Sequence, residues 1–139
     1  MFRRAALLVC VCLLFGLSAC RQANDRVIGV VPKGAKHIFW QTVRAGAIEA
    51  AKECGHEVVW NAPSLEVDSA RQIEIVDAMV NRQVAGIALA PVDKKALVSV
   101  VERAHRAGIP VAIFDSGIDT EKRITYVATN NEEGGRMAA

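Results

Sequence analysis

The 139-residue chain is 52% hydrophobic, 23% charged and 5% aromatic, and its formal net charge is +2. The apolar share excludes a disordered chain, and the length holds one globular domain and not two. Few aromatics and a near-balanced charge exclude a nucleic-acid module built on stacking platforms or on a basic face.

Arg3 and Arg4 precede an unbroken apolar run from Ala5 to Phe15, and the small residues Gly16, Ser18 and Ala19 lead to Cys20. This is the three-part pattern of a secretory signal. The run falls short of the roughly 20 apolar residues that a spanning helix needs. Leu17-Ser18-Ala19-Cys20 is similar to a bacterial lipobox. That similarity implies a lipoprotein signal peptide over residues 1–19, lipidation of Cys20 and a lipid anchor in a membrane. Arg21 stands where an inner-membrane retention signal carries Asp, so the choice between inner and outer membrane stays open. Losing Arg3 and Arg4 leaves the mature chain formally neutral, and losing Cys10 and Cys12 leaves Cys54 as its one unmodified thiol. A single thiol closes no internal disulfide, so the fold rests on its core. Cys54, at helical spacing from Ala47 and Ala51, is expected to be buried.

Residues 20–26 read as a polar tether, and residues 27–139 as the folded unit. Val27–Val31 is expected to form the first strand, which Pro32 and Gly34 break. Phe39–Glu53 follows as a helix ended by Gly55. Glu57–Trp60 is the second strand, and Asn61–Ser64 a loop. Asp68–Arg82 is the second helix, with Asp68 as N-cap and Ile73, Val76 and Val80 facing inward. Gly86–Ala90 is the third strand. Asp93 is expected to cap a helix over Lys94–Ala107 that Gly108 stops. Val111–Phe114 and Ile124–Ala128 are further strands, and Asn131 opens a last helix. Strands alternating with helices of this length predict βαβ crossovers, a parallel sheet and an open, doubly wound α/β layer structure. The chain reads as the N-terminal part of a longer protein.

The first turn, Pro32 to His37, has neither a G-x-G-x-x-G nor a G-x-x-x-x-G-K-[ST] pattern, and no G-x-S-x-G elbow occurs anywhere. His37, His56 and His105 are too scattered for zinc-ligand spacing. Asp115 could serve as a phosphoacceptor only beside acidic residues after the first strand, where this chain is basic. The chain is therefore read as a binding protein and not an enzyme, with no cofactor and no metal. Ligands of open α/β sheets sit beyond the carboxyl ends of the strands. On that rim stand His37, Phe39, Trp40 and Asp115. Aromatic faces suit the C–H faces of sugars, and a carboxylate suits their hydroxyls. Each of the four also has a structural explanation: core aromatics, a turn cap at Asp115, a surface loop at His37.

With those residues in place, the chain resembles the ribose/galactose-type periplasmic sugar-binding proteins of ABC importers. The resemblance rests on the lipobox, on Phe39-Trp40 opening a helix that contains Gly46, and on Ala85–Asp93. It extends through Ala107–Val111, Phe114-Asp115-Ser116, and Val127–Asn131 with Gly134-Gly135. It implies the first lobe of a two-lobed clamp whose closing strand and helix return from the far C-terminus. It further implies a sugar held by His37, Phe39, Trp40, Asp115 and Ser116, and an ABC permease as partner. The location would be periplasmic or at the cell surface. Ser116, Ala90 and His37 depart from the residues common in ribose binders, which leaves the identity of the sugar open. The same fold serves LacI-type regulators and receptor-associated sensors. A regulator would carry a basic helix-turn-helix where this chain has its lipobox.

Overall fold

The computed structural model describes residues 24–139. The expected signal peptide, Cys20 and the first residues of the tether lie outside this range. Among the described residues, five strands form one parallel sheet: β1 (Asn24–Val31), β2 (Glu57–Trp60), β3 (Val84–Leu89), β4 (Val111–Phe114) and β5 (Thr125–Val127), in the order β2-β1-β3-β4-β5. Four helices accompany them among the described residues: α1 (Ile38–Cys54), α2 (Ser69–Asn81), α3 (Val98–Arg106) and α4 (Asn131–Ala138). This is the open α/β layer structure that the alternation predicts.

Period-two alternation sorts the strand residues between two faces. Val31, Ile87, Leu89, Val111 and Ile113 point to one face, where they form the core with Ile75, Val76 and Met79 of α2 and Val100, Val101 and Ala104 of α3. Ile28, Val30, Val58 and Ala88 point to the other face, where α1 contacts β2 and borders an apolar groove with β1. Gly29 marks the closest approach of the first layer: a Cβ there would lie 2.2 Å from the Met79 sulfur.

The element ends show where local chemistry overrides periodicity. β1 begins at Asn24, because Asn24 pairs with Val84 across an irregularity that ends at Ile28, while Asp25 and Arg26 keep their side chains in solvent. Asp68 caps α2 as expected, accepting from the Arg71 N–H at 2.9 Å. Gly55 and Gly108 follow their helices with φ of 70° and 78°, a left-handed backbone that glycine adopts without a Cβ clash. The third helix starts later than the sequence suggests. Asp93 accepts from the N–H groups of Lys95 and Ala96 at 2.8 and 2.7 Å and closes a separate turn, so α3 begins at Val98. Cys54 is also corrected: it is exposed at the last residue of α1 and borders an apolar groove of about 370 Å³ between α1 and the sheet.

Candidate functional site

In the order β2-β1-β3-β4-β5, helices leave to opposite faces on either side of the β1/β3 boundary. A crevice is expected at the carboxyl ends there. The ladder runs to the strand ends and into the loops: Ala90 N–H donates to Val31 at 2.9 Å, and Asp115 N–H to Val127 at 2.9 Å. The loops after β1, β2 and β4, with the start of α1, form an open pocket of about 250 Å³ lined by Lys33, His37, Phe39, Trp40, Glu66 and Asp115.

The carboxylate of Asp115 is the centre of the polar wall. Lys33 Nζ lies 2.7 Å from its Oδ2 and 2.5 Å from the Ser116 hydroxyl oxygen, and the Ser116 hydroxyl donates to the same Oδ2 at 3.2 Å. The two charged side chains are 22% and 31% exposed, so the pair is neither buried nor fully screened by solvent. Asp115 has φ of 63°, and left-handed backbone at a non-glycine residue clusters at functional sites. Asp tolerates that region better than most residues.

The aromatic wall starts at the N-terminus of α1. His37 is its N-cap: Nδ1 accepts from the Phe39 N–H at 3.1 Å, which places the proton of the neutral ring on Nε2. Phe39 is 47% exposed and lines the pocket. Trp40 is 3% exposed; it meets Phe39 edge-on at a centroid distance of 4.8 Å and Phe114 at 6.3 Å. Its indole N–H donates to Glu66 Oε1 at 2.8 Å, which satisfies a buried donor. Gly34 leaves room for that carboxylate, since a Cβ there would stand 2.6 Å from Glu66 Cγ.

The structure thus gathers His37, Phe39, Trp40 and Asp115 around one cavity, with Ser116 bonded to its polar wall. Phe39 presents surface to the cavity, whereas Trp40 supports it from behind. Sequence reasoning missed Lys33 and Glu66. Lys33 carried a signal, a cation directly past the end of an apolar strand. Glu66 carried none, because its role depends on a loop folding back over Gly34 and Trp40.

Comparison with known proteins places the chain in a family. Residues 28–139 match the periplasmic binding protein domain. The D-ribose/D-allose-binding protein of Pseudomonas aeruginosa is 36% identical over 118 residues, which cover 79% of this chain and 37% of that protein. The ribose import binding protein of Bacillus subtilis is 28% identical over 116 residues, 84% of this chain and 37% of that protein. The chain spans a little over a third of the length of these curated relatives. A solute-binding protein of an ABC transporter from Agrobacterium vitis, with bound D-fucose, superposes with a TM-score of 0.76 at 36% identity, covering 81% of this chain and 40% of that one. These relatives are binding proteins, not enzymes.

Proposed function

The chain belongs to the periplasmic binding protein family, and from that premise we propose that residues 27–139 form the first lobe of an extracytoplasmic sugar-binding protein. That protein delivers its ligand to an ABC permease. Residues 1–19 are its signal peptide, residues 20–23 the tether that leads into β1 at Asn24, and Cys20 its lipid anchor in the membrane.

The observation that carries this reading is that Lys33 and Asp115, bonded to each other and to Ser116, line one pocket with Phe39 at the strand ends. Capture follows from the chemistry of those groups. The exposed ring of Phe39, backed by Trp40, packs against the C–H face of a sugar ring. Asp115 spends Oδ2 on Lys33 and Ser116 and keeps Oδ1 for a ligand hydroxyl. The Lys33 ammonium has three donors, two of them engaged, and the third serves a ligand oxygen. His37 offers its Nε2–H from the same rim. A second lobe closes over the ligand, and closure is favoured because the closed state makes the additional contacts.

The test is a thermal-shift titration of the full-length mature protein with D-ribose, D-allose, D-xylose, D-fucose and further pentoses and hexoses. A bound sugar at a hundredfold excess over its Kd stabilises by about 2.7 kcal/mol, a plainly visible rise in melting temperature. At least one sugar is expected to give a saturable rise. No response to any pentose, hexose or polyol overturns the reading.

A further inference from the structure

Gln72 is 0% exposed, a polar residue within the inward face that α2 otherwise builds from Ile75, Val76, Met79 and Val80. An amide in such surroundings is tolerated only when its hydrogen-bonding groups are satisfied. All three hydrogen bonds of the Gln72 side chain go to the rim. Its Nε2 donates to the Pro32 carbonyl at 3.0 Å and to the Ala90 carbonyl at 2.8 Å, and its Oε1 accepts from the Val92 N–H at 2.9 Å. Pro32 and Ala90 are the first residues beyond β1 and β3, and both are buried. One side chain therefore clasps the two strands at the boundary where the crevice opens.

The consequence reaches the ligand cavity through Lys33, the residue after Pro32. Lys33 leaves β1, yet its ammonium meets Asp115 at the end of β4, and β3 lies between those strands. Two strand spacings amount to about 10 Å. A lysine stem alone is shorter than that distance; the Asp115 side chain and the 2.7 Å contact between them span the remainder, so the meeting depends on where the Lys33 backbone starts. We propose that Gln72 is a positioning residue for the sugar site: it anchors the Pro32 carbonyl to the end of β3 and so sets where Lys33 places its charge. The proposal rests on the sugar-binding reading and extends it to a residue that touches no ligand.

The test uses the full-length protein and the sugar that it binds. Gln72→Met removes the three contacts at nearly constant volume, and Gln72→Asn keeps an amide but withdraws it by one methylene. Either is expected to weaken binding about tenfold. Lys33→Met is also expected to weaken binding, and adding Gln72→Asn to it should cost less than a further twofold, because residues acting through one another are not additive. Val76→Ala, from the same buried face, should lower the melting temperature and leave Kd within twofold. A ligand-free crystal structure of the Gln72→Asn variant should show the Lys33–Asp115 contact broken. An unchanged Kd in the Gln72 variants, an equal loss with and without Lys33, or an intact ion pair in that crystal overturns the proposal. Silence of the unmutated protein toward every sugar refutes the sugar-binding reading instead, and the crystal comparison still decides the positioning role.

Discussion

Asp115→Asn isolates one charge at the centre of the candidate site. Asparagine accepts the left-handed backbone at φ of 63° as readily as aspartate, so the turn survives. What disappears is the counter-ion of Lys33 at 2.7 Å. With side chains 22% and 31% exposed, the pair stands between an exposed bridge and a buried one. The expected loss of stability is about 1 kcal/mol, close to exposed pairs and far below the cost of breaking a buried one. Binding should suffer more. A hydrogen bond to a charged group contributes about 1.5–3 kcal/mol and a neutral one about 0.5–1.5 kcal/mol. The difference predicts a roughly tenfold rise in Kd at about 1.4 kcal/mol per decade. Asp115→Gly and Asp115→Ala both remove the acceptor and should raise Kd further. Alanine should also be about 1 kcal/mol less stable than glycine, because its Cβ is strained in that backbone. Calorimetric titration of the full-length protein gives the affinities, and urea unfolding gives the stabilities. An unchanged Kd in Asp115→Asn removes the carboxylate from the ligand site. A stability loss above about 3 kcal/mol would show that the pair behaves as a buried one, contrary to its exposure.

Glu66→Ala leaves the buried Trp40 indole N–H without its acceptor and should cost about 1–3 kcal/mol in urea unfolding. Gly34→Ala pushes a Cβ against Glu66 and should destabilise in the same direction by breaking the same contact; unchanged stability in both variants would refute the supporting role of Glu66. The backbone N–H of Ala96, then that of Lys95, holds the Asp93 carboxyl below the ordinary aspartate value of 3.8. A depressed folded pKa adds stability above that value and loses it as pH falls through the lower one. Unfolding midpoints of the unmutated protein should therefore drop more steeply below pH 3.8 than those of Asp93→Asn, and parallel curves would contradict the turn cap. Cys20→Ser should release the full-length protein from the membrane fraction and abolish incorporation of labelled fatty acid; retained labelling would exclude Cys20 as the acylated residue.

The layer structure was legible because it depends on local signals. Apolar strand runs alternate with helical periodicity, Asp68 caps α2, and Gly55 and Gly108 stop α1 and α3. What escaped depends on competition or on distance. Asp93 looks like a helix cap, yet its carboxylate closes a turn over Lys95 and Ala96 before the helix begins at Val98. Cys54 has helical spacing from Ala47 and Ala51, but α1 ends there, at the open edge of the groove. The rim position of Asp115 and Phe39 could be read from their places after a strand and before a helix. The partnership of Lys33 with Asp115 could not, because residues 82 positions apart in the chain meet only once β3 has inserted between β1 and β4. Gln72 did carry a signal: it lies four residues before Val76, on the same inward face, where a polar side chain must find buried partners.

The most direct test of the whole account is a crystal structure of the full-length protein with a sugar it binds. The account predicts a ring stacked on Phe39, with hydroxyls about 3 Å from the Asp115 carboxylate and the Lys33 ammonium. A sugar seated away from the carboxyl ends of β1 and β4, with Asp115 and Lys33 still bonded only to each other and to Ser116, would contradict it.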